Sequence, residues 1–280
     1  MWANAATVVV GTLGIQLVLI GVGFFIERMS PAQAPDMPGF LLNLSYLMPQ
    51  SLFNGALRPL CAAGTTLIVN ALGGGLIELP SAGIGLLVVS VPCYFLAMDG
   101  GEYVFHRAQH RIPALWALHS LHHSDPSVNV STTPRHFWGD PFLKAITIYS
   151  LVGLLFKANA AVIGAYGIFG FYNFFLHMNV RVGFGRWSAW LNSPQTHRLH
   201  HSYLPEHRDC NFAQFFTFFD TLGGTYRQPT PDEYPPTGLD SAEIPCNVHG
   251  MLLWPWRRQL HLPVKTATTH RWPDHRQSTV

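Results

Sequence analysis

Two runs with the pattern His-x-x-His-His lie far apart in this sequence, at residues 119–123 and 197–201. On an α-helix the first, fourth and fifth positions of such a run project from one face, so each run offers three imidazoles to one point in space. Imidazole nitrogen is a ligand that zinc, iron and copper all accept. The spacing therefore predicts a metal site.

Three further histidines extend the predicted site. One pair has the helical i, i+4 spacing and another histidine ends an apolar run, which brings the clustered imidazoles to nine. Because four to six ligands fill the shell of one such ion, nine nitrogens indicate two metal ions. A lone histidine is more often structural, but neither packing nor solubility gives a reason to repeat this pattern. The predicted ligands are His106, His110, His119, His122, His123, His177, His197, His200 and His201.

The composition indicates a membrane protein. The chain has 280 residues, of which 48% are hydrophobic and 11% charged, and its mean hydropathy is +0.18. Soluble domains carry about 25% charged residues, so less than half of the usual charge is present. A formal net charge of +2 without a basic stripe argues against nucleic-acid binding. The four scattered cysteines are typical of packing thiols, not of a disulfide framework.

Apolar runs divide the chain into predicted membrane segments. Residues 7–26 are uncharged, and at 1.5 Å per residue they span a hydrocarbon core of about 30 Å. We expect a permanent span there and not a signal peptide, followed by a mixed segment at 40–59 that Pro49 interrupts. Runs at 61–77 and 83–98 form a predicted hairpin, and runs at 142–156 and 159–176 form a second. If both hairpins return, all the clustered histidines emerge on one face.

Basic residues orient the predicted bundle. Of the 17 Lys and Arg residues, 15 lie on the histidine side and Lys157 lies alone on the opposite side. Because cytoplasmic loops carry the excess of basic residues, we expect the metal site on the cytoplasmic face. The predicted fold is all-α, an integral membrane helical bundle with a cytosolic histidine-rich cap that holds a dimetal site. The predicted membrane-embedded domain covers residues 1–228, with a catalytic region at about 83–226, and residues 229–280 form a cytosolic or interfacial tail.

The predicted position of the site favours oxidation. A site at the membrane boundary meets substrates that arrive from the bilayer, and a metal-bound hydroxide cannot attack an unactivated C–H bond of a lipid. Iron with dioxygen can oxidise such a bond. Zinc hydrolysis stays an alternative, because imidazole triads also build zinc sites.

Several motifs, in this order, resemble the fatty acid hydroxylase and sterol desaturase superfamily. The similarity covers about residues 83–226, and its segments are 99–110, 115–124, 175–180, 193–202, 209–212 and 219–226. The resemblance implies a membrane di-iron centre that uses dioxygen and two electrons to hydroxylate or desaturate a lipid such as a sterol or fatty acyl chain. The nine histidines match the metal-binding histidines of the family. Zinc can replace the two iron ions in a purified sample.

Other residues near the motifs are candidates for ligands or for groups that orient the ligands. Asn173 occupies a position where some family members have a further histidine, and His136 resembles a family position beside the site. Nearby carboxylates could accept a hydrogen bond from a ligand imidazole, although helix capping or solvated charge is an equal explanation: these are Asp99, Glu102, Asp125, Asp209 and Asp220. The remaining histidines lie outside the clusters and have no expected role: His207, His249, His261, His270 and His275.

Other functions stay open at this stage. The second hypothesis is a histidine-rich membrane protein that binds or transports metal without oxidative chemistry. A bis-histidine haem protein would need paired ligands on facing spans, and the triplets do not match that number. The chain has no His-Pro-Gly-Gly cytochrome signature and no dinucleotide fingerprint, so we expect a separate electron donor of the ferredoxin or cytochrome b5 type with a reductase. The apolar runs fit any lipid; hydroxylation is favoured over desaturation by the breadth of the family.

Overall fold

The computed structural model of the chain describes residues 2–157 and 160–260, and helix dominates this part of the chain. The predicted all-α class is thereby confirmed. The helices are α1 (Trp2–Met29), α2 (Met37–Ala71), α3 (Gly83–Arg111), α4 (Pro113–His123), α5 (Asp140–Lys144), α6 (Ser150–Leu155), α7 (Ala160–Phe169), α8 (Tyr172–Leu176), α9 (Pro194–His200), α10 (Phe218–Gly223), α11 (Val248–Leu252) and α12 (Trp254–Gln259).

Three of these helices are long and apolar enough to cross a membrane. They are the segment Val9–Met29 of α1, the 35-residue α2 and the 29-residue α3, and Ala160–Leu176 is a shorter apolar stretch. Their surfaces expose large hydrophobic side chains such as Val18, Phe25 and Leu67. Lipid is the solvent that suits such surfaces, so the prediction of an integral membrane protein is confirmed at this level. The cytoplasmic position of the histidines stays a prediction.

The predicted division of the second apolar region is wrong. The sequence suggested separate segments at 40–59 and 61–77, but α2 continues as one helix through Pro49 and Pro59. Each proline removes one backbone donor. A break would leave more unpaired backbone groups facing lipid, which explains why the helix continues. It ends at Ala71, just before glycines with positive φ.

The tips of the two hairpins meet at the end of the molecule opposite to the histidines. Strand β1 (Ile77–Glu78) precedes α3, and β2 (Phe156–Lys157) follows α6, and the two strands pair in parallel. The Lys157 ammonium lies 3.8 Å from the Glu78 carboxylate, and both side chains are exposed. Because the chain turns back at both tips, α3 and α8 return to the same end, where the clustered histidines lie.

A buried polar network joins α2 to the segment after α4. The Arg135 guanidinium donates hydrogen bonds to Asn43 Oδ1 (2.7 Å), to Ser124 Oγ (2.7 Å) and to the Leu121 carbonyl (3.0 Å). It lies 4.0 Å from the Asp125 carboxylate, and both side chains are 1% exposed. The Asp125 carboxylate in turn accepts hydrogen bonds from Asn43 (2.8 Å) and from a threonine hydroxyl. The network fixes the end of α4, which carries three of the clustered histidines.

Residues 229–260 fold back onto α4. Met251 and Trp254 are fully buried and pack with Leu121 of α4 and Tyr46 of α2. The Trp254 indole N–H donates to the Ser120 hydroxyl (3.0 Å). The described part of the predicted tail therefore packs directly behind a histidine-bearing helix.

Removing Arg135 should destabilise the protein. In Arg135→Leu the buried Asp125 carboxylate loses its charge partner, and breaking a buried ion pair from one side typically costs about 3–5 kcal/mol. Thermal unfolding in detergent should therefore show a clear fall in Tm. The control is Arg186→Leu, since Arg186 is exposed and lies over the exposed Trp187 ring. Equal Tm values for the two variants would contradict the assigned role of the network.

Candidate metal centre

The structure brings the nine clustered histidines together in two groups. The first group contains five imidazoles, from α3, α4 and α9, and the second contains four, from α4, the end of α8, α9 and the residue after α9. Within each group the possible ligand atoms all lie within 4.8 Å of one another. The first group is His106, His110, His119, His123 and His200, and the second is His122, His177, His197 and His201.

The division of each His-x-x-His-His run differs from the expectation. Each run was expected to offer its three imidazoles to one point. Instead, His119 and His123 join the first group while His122 joins the second. The other run is divided in the opposite sense, since His200 joins the first group and His197 and His201 join the second. Successive helical residues are rotated by about 100°, so the fourth and fifth positions of a run point in different directions.

The distances between ring nitrogens fit a shared ion. In the first group, His119 Nε2 lies 2.9 Å from His106 Nε2 and 3.2 Å from His123 Nε2. In the second group, His177 Nε2 lies 3.0 Å from His122 Nε2 and 3.1 Å from His197 Nε2. Two nitrogens that are each about 2.1 Å from one ion are about 3.0 Å apart at an octahedral angle and about 3.4 Å apart at a tetrahedral angle. Within each group, the nitrogens are therefore close enough to bind the same ion.

Backbone carbonyls fix which ring nitrogen is free. His106 Nδ1–H donates to the Phe212 carbonyl (2.7 Å), and His200 Nδ1–H donates to the Cys210 carbonyl (2.9 Å). His177 Nδ1–H donates to a carbonyl one turn earlier in the chain (2.7 Å). A neutral imidazole has one N–H, so each of these rings presents the Nε2 lone pair to its group. His200 Nε2 is buried and has no hydrogen-bond partner among the described residues. A bound metal ion would satisfy its lone pair.

The imidazoles are held in the neutral form that a metal ion needs. Burial lowers the pKa of His177 to about 4 and that of His200 to about 4. Burial, followed by the neighbouring imidazoles, also lowers the pKa of His119, His122 and His123 well below the ordinary value. Metal ions bind deprotonated imidazole, so the donor set fits a pair of metal ions.

Two of the predicted carboxylates hold the loop that orients the histidines. Asp220 accepts the first two N–H groups of loop 212–216 (2.7 and 2.8 Å), and Asp99 accepts the last two (3.1 and 2.7 Å). Both carboxylates are buried. They fix the Phe212 carbonyl, and through it the ring of His106. Their contact with the site is thus indirect.

The other predicted carboxylates lie further from the imidazoles. Glu102 pairs with Lys144 (2.8 Å), and Asp125 belongs to the buried network after α4. An Asp209 oxygen lies 3.9 Å from His110 Nδ1, which is beyond hydrogen-bond distance. Among the described residues, none of the five carboxylates accepts a hydrogen bond from a clustered imidazole.

The remaining candidates lie beside the groups. The His136 ring stacks on His122, with centroids 4.0 Å apart and planes inclined by 16°, and it belongs to neither group. Asn173 contacts His177 through its backbone carbonyl and not through its side-chain amide. His207 is buried and contacts Glu233 at 2.9 Å, and His249 is exposed. The last three histidines that were expected to have no role lie outside the described residues: His261, His270 and His275.

Sequence reasoning did not identify the carbonyls that orient the rings. Every residue has a carbonyl, so the sequence carries no sign of which one meets an imidazole. The positive φ angles of Asp209 (55°) and Asn211 (54°) mark the tight path of this loop. An Asp and an Asn separated by one residue after a histidine run are a weak signal for such a path, because these residues tolerate the left-handed region.

Comparison with known proteins gives a consistent result. The fatty acid hydroxylase family matches residues 91–225. An alkylglycerol monooxygenase of Danio rerio is 35% identical over 133 residues, which cover 47% of this chain and 29% of that protein. An ornithine lipid hydroxylase of Rhizobium tropici is 31% identical over 132 residues, which cover 46% of this chain and 39% of that protein.

A sterol enzyme is also similar. A Delta(7)-sterol 5(6)-desaturase of Saccharomyces cerevisiae is 29% identical over 176 residues, which cover 60% of this chain and 44% of that protein. The aligned segments thus cover less than half of each of these three relatives. No solved structure matches the chain significantly.

Acid should destabilise the metal-free protein. The pKa of His177 and of His200 is about 4 in the folded chain and about 6.5 in an unfolded one. Below about pH 6.5 the unfolded chain therefore binds protons that the folded chain does not, and stability falls until about pH 4. Each such histidine contributes up to about 1.4 kcal/mol per pH unit. Chelator-treated protein should show a lower Tm at pH 5 than at pH 7.5, and an unchanged Tm would contradict this account.

Proposed function

We propose that this chain, whose residues 91–225 match the fatty acid hydroxylase family, is a membrane-bound di-iron oxygenase that hydroxylates or desaturates a lipid. The observation that carries the proposal is the pair of adjacent imidazole groups, five and four in number, at one end of a bundle of membrane-length helices. The proposed ligands of the two iron ions are these nine histidines. The proposed catalytic region is residues 83–226, within a membrane domain of residues 1–228.

The chemistry follows from the donor set and from the surroundings. Neutral nitrogen donors suit iron, copper or zinc, and the adjacent apolar helices suit a substrate with unactivated C–H bonds. Two bound iron ions would supply the oxidation of such a bond by dioxygen. Hydroxylation consumes the lipid, one O2, two electrons and two protons, and it releases the hydroxylated lipid and one water. Desaturation uses the same inputs and releases the alkene and two waters.

The chain's own residues orient and shield the centre. Carbonyls of Cys210 and Phe212 hold His200 and His106 with Nε2 facing inward, and Asp99 and Asp220 hold the loop that carries Phe212. A carbonyl also holds His177, and the other six imidazoles have no such carbonyl partner among the described residues. Their orientation therefore depends on the packing of the helices that carry them, including the packing behind α4. Such orientation of ligands by surrounding groups typically changes metal affinity by about 10–100-fold.

The similar proteins support a lipid substrate, and both hydroxylation and desaturation occur among them. Two of the three similar proteins add oxygen by their names, and the third is a desaturase. We therefore favour hydroxylation. The electron donor in this proposal is a separate protein of the ferredoxin or cytochrome b5 type with its reductase. The centre faces the cytoplasm, where such donors are found and where most of the basic residues lie.

Removing one histidine from each group should abolish metal binding and oxidation together. His122→Ala leaves three imidazoles in the second group, and His200→Ala leaves four in the first. We expect each variant to lose at least tenfold in affinity for its ion, and the double variant to lose dioxygen-dependent lipid oxidation. Metal content is measured after loading with ferrous iron and reductant, and product is measured by the mass change of the lipid.

The matched control is His249→Ala, since His249 is exposed and lies in neither group. It should keep the metal and the activity of the unchanged protein. Retention of both metal and turnover in the double variant would contradict the proposal. Stoichiometric iron with no lipid oxidation, together with ion flux in liposomes, would favour the metal-binding or transport alternative.

A further inference from the structure

A cavity of about 350 Å³ borders the five-histidine group. His110, His123 and His200 form part of one wall, so a molecule in the cavity lies against the proposed metal centre. Arg111 and Asp209 are among the residues that line the rest of it. Its volume lies at the small end of the range for ligand pockets, which suits one end of a lipid better than a whole lipid.

The length of α3 places the cavity at the depth of lipid head groups. The helix Gly83–Arg111 has 29 residues and is therefore about 44 Å long. The hydrocarbon core of a bilayer is about 30 Å thick, and about 40–45 Å with its head-group layers. The exposed pair Glu78 and Lys157 lies near the first residue of α3 and marks the opposite surface. Arg111, the last residue of α3, therefore reaches the head-group layer on the histidine side.

Two charges of opposite sign at the cavity have no partner among the described Lys, Arg, Asp and Glu side chains. Arg208 and Asp240 also line the cavity, but they pair with each other at 2.6 Å. Arg111 makes no hydrogen bond or ion pair with any of the described residues. The Asp209 side chain is 49% exposed, and among the described residues its carboxylate approaches only His110, at 3.9 Å. One guanidinium and one carboxylate thus stay available to a ligand.

His207, another residue of the cavity wall, already has a partner. It contacts Glu233 at 2.9 Å, and Glu233 accepts from Arg227 at 2.8 Å. Glu233 and Arg227 do not line the cavity, and their charges are paired with each other. By contrast, His200 lines the same cavity, and its buried Nε2 atom has no hydrogen-bond partner among the described residues.

We propose that this cavity binds the polar head of the lipid substrate and selects a zwitterionic head. Arg111 contacts the anionic group of the head, and Asp209 contacts its cationic group. The inference rests on the proposed function and deepens it, because it names the substrate class. Since the imidazoles themselves form a wall of the cavity, the oxidised carbon lies within a few bonds of the head and not at the end of the tail.

The experiment compares three lipids that share their acyl chains and differ in the head. Metal-loaded protein in detergent micelles is mixed with equal amounts of dioleoyl phosphatidylethanolamine, dioleoyl phosphatidylglycerol and dioleoylglycerol. Native mass spectrometry measures the bound lipid, and this readout does not require turnover. We expect at least tenfold preference for the zwitterionic phosphatidylethanolamine over either of the other two lipids.

Variants at the two free charges assign the preference to this cavity. Arg111→Gln should reduce the preference over the uncharged lipid about tenfold, whereas Arg111→Lys should keep it. Asp209→Asn should remove the preference for the zwitterionic over the anionic head. The matched controls are Arg186→Gln and Asp232→Asn, two exposed positions away from the cavity, and they should bind as the unchanged protein does. Metal content identifies any variant whose centre is disturbed.

The outcomes separate this inference from the proposed function. Equal binding of the three lipids by the unchanged protein overturns the head-group site, and so does a preference that survives both Arg111→Gln and Asp209→Asn. A preference for the zwitterionic lipid that depends on these charges, without any oxidised product from this or other lipids, supports the site and contradicts the oxygenase. Oxidation of lipids without regard to the head contradicts the site alone.

Discussion

The structure depends on the convergence of the ring nitrogens of nine imidazoles in two groups. Nitrogens of neighbouring imidazoles lie 2.9–3.2 Å apart in both groups, and backbone carbonyls hold at least three rings with Nε2 unprotonated. Where both nitrogens of such a pair carry lone pairs, they repel one another unless a positive charge lies between them. The cost of burying such groups unsatisfied is large enough to decide stability, about 1–3 kcal/mol for each. A metal ion bound by these groups would therefore add to the stability of the folded protein.

The surrounding structure works to keep these rings in place. The Arg135 network holds the end of α4 from one side, and the Trp254 segment packs against it from the other. The clamped loop 212–216 does the same for the rings of α3. The buried side chains of Arg135, Asp125, Asp99 and Asp220 are hydrogen-bonded in these contacts, which restricts the neighbouring rings to few orientations. Because these contacts join residues that are far apart in the sequence, tertiary packing and not the local sequence sets the orientation of the ligand rings.

The histidine groups could be found from the sequence because ligand spacing on helices is a local property. The same spacing could not predict that His122 and His200 leave their own runs for opposite groups, since that depends on where each helix axis lies. The helical class and the membrane character followed from the apolar runs. The continuity of α2 through Pro49 did not, because proline is a strong local signal that the lipid environment overrides. The orienting carbonyls had no sequence signal at all.

The division of each run between the two groups has a mechanical consequence. A small rotation of α4 that brings His119 and His123 inward swings His122 outward, and α9 behaves in the same way with the roles exchanged. One turn of each helix thus carries possible ligands of both groups on different sides of its axis. A rotation of either helix therefore moves possible ligands of both groups, and neither group can be rearranged alone by such a rotation.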